Sequence, residues 1–195
     1  MKQYLFFLFV LFALGQTSAT DKAALPSDCS AADFLPKAGL VLVYEFYDNG
    51  SPAGEEKRTI STKNGTTISL TPFDYGQEFI KKDGKIYMRF FDGDTEKPFE
   101  LYFEADLNVG AKWNNKDGVT SEVVSEGEAL IFDRERKYID LKVTFPPRSM
   151  FPDQDETMIL FERYAAGLGV VEAKDDQGVP DQRLVKVISQ SRKSN

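Results

Sequence analysis

Glu45, Glu100 and Glu162, each set within an apolar stretch, are the side chains best suited to acid–base work. Two carboxylates held about 5–10 Å apart would make a glycosidase-like hydrolase. The period of two gives the plainer account, in which each is a charge on the wet face of a half-buried strand. Asp92-Gly93-Asp94 and Asp153-Gln154-Asp155-Glu156 carry the oxygen ligands that calcium prefers. Neither has the spacing of an EF-hand loop, so both read as polar turns. The chain has no histidine. That removes the Ser-His-Asp triad, the Cys-His dyad and histidine-ligated metals together. Gly167-Leu168-Gly169 is too short a motif for a phosphate cradle, which needs a fuller pattern and a following helix. No catalytic, cofactor-binding or metal-ligating residue is assigned, and a non-enzyme is expected.

The elements around these residues are strands. Thr157 to Tyr164 is apolar and aromatic, Leu168, Val170 and Val171 resume the pattern, and Gly167 and Gly169 lie between. The segment predicts a structural corner in which one or both glycines take positive φ or allow a close approach. Upstream, Leu40 to Tyr47 places Leu40, Leu42, Tyr44 and Phe46 on one face. Asp48-Asn49-Gly50, Asn64-Gly65 and Asp83-Gly84 are hairpin turn signals. Ile86, Met88 and Phe90 share a face, as do Phe99, Leu101 and Phe103. Val119–Val124 and Ala129–Asp133 read as separate short strands. Ile139, Leu141, Val143 and Phe145 alternate with polar residues, and Arg183 to Ser189 makes a last strand. Turns recur every 8–12 residues or so, and no helical period competes. The expected fold is all-β: an antiparallel meander of about a dozen strands rolled into a curved sheet, half-barrel or open barrel. Tyr44, Phe46, Phe90, Phe103, Phe145 and Phe161 are the expected lining of its concave face.

Lys2, the apolar run from Tyr4 to Leu14 and Thr17-Ser18-Ala19 have the order of a secretory signal peptide. The run is short for a span of about 20 residues, so no membrane span is expected after cleavage. The expected organisation is a signal peptide at 1–19, a tether at 20–33, one β domain at 34–190 and a disordered tail at 191–195. The chain is acidic, with 24 Lys+Arg against 31 Asp+Glu and a net charge of −7. No basic stripe offers a nucleic-acid surface. The lone Cys29 cannot form an internal disulfide. An intermolecular bridge is the minority reading of it, and Asp28 before it does not fit a lipidation signal.

Leu35-Pro36-x-x-Gly39 opening a strand that Asp48-Asn49-Gly50 closes resembles the start of exported bacterial β-sheet proteins of uncharacterised function. Val109-Gly110-Ala111-Lys112-Trp113 and Tyr164-Ala165-Ala166-Gly167-Leu168-Gly169-Val170-Val171 are similar to the same group. The resemblance covers most of the mature chain. It implies a periplasmic or surface-exposed antiparallel sheet rolled into an open half-barrel, and it transfers no catalytic residue. The missing lipobox separates this chain from lipid-anchored members. The functional expectation is an exported binding or interaction module of the cell envelope. A carrier of an apolar or lipid-like ligand in the concave face is the alternative, and a carboxylate hydrolase comes last.

Overall fold

Asn49-Gly50, Asn64-Gly65 and Asp83-Gly84 each hold both residues at positive φ: 49° and 76°, 51° and 80°, 53° and 79°. This is the backbone of tight two-residue hairpins, whose twist matches that of the strands they join. They link β1 (Leu40–Asp48), β2 (Ser51–Lys63) and β3 (Thr66–Leu70), and then β4 (Tyr75–Lys82) to β5 (Lys85–Asp92). Short β6 (Thr95–Glu96) and β7 (Glu100–Phe103) both pair with β5. The second half holds β8 (Lys112–Asn114), β9 (Thr120–Ile131), β10 (Arg134–Phe145), β11 (Met158–Ala165), β12 (Gly169–Asp175) and β13 (Pro180–Ser189). The computed structural model describes residues 30–71, 75–92, 95–147 and 155–190. Across them the protein is a 13-stranded antiparallel sheet, curved but not closed into a barrel.

Within this one sheet the strands run as two meanders joined side by side. Its order is β6-β5-β4-β3-β2-β1-β13-β12-β11-β10-β9-β8, with β7 beside β5. The first and last long strands pair, from Leu40↔Ser189 to Phe46↔Gln182. Leu42, Tyr44 and Leu184 bury their side chains at that seam. One strand replaces the two expected at Val119–Val124 and Ala129–Asp133. Gly127 does not break β9, because the Tyr138 ring of β10 lies where a glycine Cβ would be, 3.1 Å away.

The segment expected as a tether ends in packed structure. Ala31–Phe34 is a single 3-10 turn. The Ser30 N–H and hydroxyl both donate to Asp33 Oδ2, at 2.7 and 3.1 Å. Ala31 and Phe34 are buried in a core with Phe79, Ile86, Phe103, Trp113 and Ile139. A second cluster holds Leu42, Tyr44, Ile60, Leu168 and Leu184. Residues 1–29, with the signal peptide and Cys29, and the tail at 191–195 lie outside the described residues.

Candidate functional site

The glycine corner between β11 and β12 is a dock for the N-terminal turn. Gly167 and Gly169 both have φ of +75°. The Gly167 N–H donates to the Asp33 carbonyl at 2.7 Å, and its carbonyl accepts from the Lys37 N–H at 3.0 Å. A Cβ on Gly167 would sit 2.9 Å from Cε of Lys37, and one on Gly169 would sit 3.2 Å from the Pro36 ring. The corner thus fastens Phe34 and its neighbours over one end of the concave face.

Beneath that cover the interior is filled. Tyr102, Phe103, Trp113 and Tyr164 make tilted and edge-to-face ring contacts. Trp113 Nε1 donates to the Tyr102 carbonyl at 3.0 Å, giving the indole N–H the partner that burial requires. The Tyr164 hydroxyl donates to Glu162 Oε2 at 2.6 Å and lies 2.8 Å from the Tyr102 hydroxyl. Tyr102 is then the donor to Tyr164. Burial raises the Glu162 pKa, opposed by the Tyr164 hydrogen bond and helped by the charge of Asp181. Burial also pushes Tyr44 up to about 12. Its hydroxyl donates to the Val170 carbonyl at 2.9 Å. The space left among Ser69, Gln77, Tyr102 and Tyr164 is about 30 Å³. A water needs about 10–15 Å³ of such space and two to four polar partners, so there is room for water here and not for a larger ligand.

The uncovered end is different. A groove of about 440 Å³ opens over β2, β4 and β5. Tyr75 is 50% exposed and Phe90 49%, although both share the inward face of their strands with Phe79 and Ile86. Arg58 forms the floor between groove and interior. Its side chain is only 19% exposed. The guanidinium carbon lies 4.5 Å from the Tyr44 ring centroid and 6.0 Å from that of Phe46. Such stacking suits the planar guanidinium. Nε donates to Glu56 Oε1 at 2.6 Å. Among the described residues the terminal nitrogens of Arg58 meet no acceptor, and they are not sealed from solvent.

The expected lining residues separate into groups. Tyr44 and Phe103 are buried, and Phe46 and Phe145 pack against the two clusters. Phe90 faces inward but borders the groove, and the N-terminal turn does not cover it. Phe161 does not line the concave face. With Tyr164 inward, the period of two sends Phe161 outward, between Lys142 and Lys174 on neighbouring strands and 38% exposed. Glu45, Glu100 and Glu162 stand on β1, β7 and β11, which do not pair with one another. Glu45 accepts from the Tyr47 hydroxyl. Among the described residues no cluster of metal-ligating side chains forms. Gly93, Asp94, Asp153 and Gln154 are outside them. The groove residues Arg58, Tyr75 and Gln77 were not singled out from sequence. The available signal was parity: Arg58 is a cation two residues before buried Ile60, on the apolar side of β2.

These features define an open antiparallel half-barrel with one covered and one uncovered end. Among solved structures, it is similar to a candidate exported protein with a YmcC-like fold from Bacteroides fragilis. The two are 12% identical, with a TM-score of 0.47 over 83% of this chain and 100% of that one. It is also similar to a candidate lipoprotein from Parabacteroides distasonis, 14% identical, with a TM-score of 0.49 over 83% of this chain and 100% of that one. No family model and no curated protein matches the chain.

Proposed function

We propose that the protein is an exported, non-catalytic binding module of the cell envelope, whose contact surface is the groove at the open end of the concave face. The observation that carries this reading is the half-exposed pair Tyr75 and Phe90 over a fixed Arg58. Large aromatic side chains left uncovered beside a concave surface are characteristic of contact sites. Export rests on Lys2, the apolar run to Leu14 and Thr17-Ser18-Ala19. An interior carrier of an apolar ligand has little room, because the space left beneath the cover is about 30 Å³.

Co-sedimentation of the mature protein with envelope material from its host tests the reading. The parent is expected in the pellet, and a Tyr75→Ser/Phe90→Ser variant with the same unfolding midpoint in the supernatant. Equal retention of the two would move the contact surface elsewhere. N-terminal sequencing of the exported fraction checks the leader, with Thr20 as the expected start. An intact Met1 there would refute cleavage.

A further inference from the structure

The lining of the groove points to an acidic saccharide as its ligand: we infer that a sugar ring stacks on Tyr75 and Phe90 while its carboxylate is held by Arg58. The inference rests on the groove being the contact surface, and it adds the chemical class of what is contacted.

The groove volume, about 440 Å³, lies within the range of roughly 300–1,000 Å³ typical of small-molecule sites. Its composition narrows the choice. Among the described residues that line it there is no aliphatic side chain. An acyl chain is held by flexible branched hydrocarbon surface, which this groove lacks. Its apolar surface is aromatic, and its remaining lining is hydroxyl, amide and charge, including Thr71, Gln77 and Thr95. A pyranose ring presents the matching pattern. It has a C–H face that lies flat on an aromatic ring and a rim of hydroxyls that donate and accept.

The charge arrangement selects an acidic sugar over a neutral one. Among the described residues that line it, Arg58 and Lys97 border the groove against the carboxylate of Glu56, which Arg58 Nε already engages. This excess of positive charge occurs in a chain of net charge −7. Stacking on Tyr44 fixes the guanidinium plane. A carboxylate can therefore dock on the terminal nitrogens, which meet no acceptor among the described residues, without a large loss of side-chain freedom. On the β4 side of the groove no open edge is left for a peptide strand, since Gln77 is paired with both Ser69 and Phe90.

The test is calorimetric titration of the mature protein with tetramers of galacturonate, mannuronate and hyaluronan, beside cellotetraose and palmitate. At least one uronate tetramer is expected to bind, more weakly as salt rises. Arg58→Gln should weaken it by about tenfold or more, and Arg58→Lys should lose less by keeping the charge. Phe90→Ala should weaken binding without moving the unfolding midpoint. Equal affinity for cellotetraose, with Arg58→Gln indifferent, would overturn the carboxylate assignment. Binding of palmitate alone would overturn the saccharide. If no uronate binds but the parent still pellets with envelope material and the Tyr75/Phe90 variant does not, this inference fails and the proposed function stands. If neither assay shows binding, both fail.

Discussion

At the covered end of the concave face, Phe103 meets Tyr102, Trp113 and Tyr164 with ring centroids 4.6, 6.3 and 5.0 Å away, and it has no exposed surface. At the open end, Phe90 has the same inward orientation on a paired strand and leaves half its surface in solvent. The residue type, the strand period and the face are alike. What differs is the cover: Phe34 and its turn, fastened to Gly167, lie over the first region and do not reach the second. An aromatic on the inner face of this sheet is core where the N-terminal turn closes over it and, at Phe90, half-exposed where it does not.

Substitution at each end breaks or sharpens that comparison. Phe103→Ala should lower stability by about 3–5 kcal/mol, the usual cost of emptying a large buried aromatic site. Phe90→Ala should change it by no more than about 0.5 kcal/mol, as for an exposed position. Urea denaturation followed by the fluorescence of buried Trp113 measures both. Similar losses at the two sites would mean that the open end is also core.

The cover itself is the next target. Gly169→Ala forces a side chain to φ of +75° against the Pro36 ring, and should cost about 1–2 kcal/mol. Gly167→Ala has the same φ but meets the stem of Lys37, which can move. Its loss should be smaller, about 1 kcal/mol. Proteolysis should then cut first near residues 30–37. If both variants melt like the parent and resist protease equally, the corner does not hold the cover.

The hairpins were legible because their signals are local. An Asn-Gly or Asp-Gly pair sets two positive φ angles within its own residues, and alternation beside it shows which side chains share a face. The pairing of β1 with β13 left no such mark, since the two strands lie at opposite ends of the domain in sequence and meet through a backbone ladder and the burial of Leu42, Tyr44 and Leu184, neither of which has a local signal. Phe161 could have been assigned outward by counting two residues at a time back from Tyr164. Phe90 could not have been separated from Phe103 in that way, because alternation gives the face and not what lies over it. The groove went unrecognised for the same reason. Arg58 is one cation in a strand full of charges until Tyr44, Phe46 and the open space above it are placed in three dimensions.

The smallest effect contrasts the two faces of β11 and β12 through their carboxylates. Glu162 points inward, and burial raises its pKa. Glu172 lies on the outer face. Burial pushes its pKa up too, but the hydrogen bonds from Lys174 and Arg183 outweigh that and hold it below the ordinary value. The signs under linkage are opposite. For Glu162 the folded state binds its proton more tightly than the unfolded one. Its contribution is fully present below the ordinary glutamate pKa and is lost as pH rises through the raised value. For Glu172 the contribution is present above the ordinary pKa and is lost as pH falls through the lowered one. Glu162→Gln keeps an acceptor for Tyr164 and removes the titration, so its stability relative to the parent should rise as pH increases from the ordinary glutamate pKa toward neutrality. Glu172→Gln should fall behind the parent as pH rises through the acid range toward that same pKa. Urea midpoints of the parent and both variants, taken at intervals from acid to neutral pH, measure the two slopes. Slopes of the same sign would mean that Glu162 is solvated like an outer-face carboxylate, and the covered end of the sheet would then admit water as far as Tyr164.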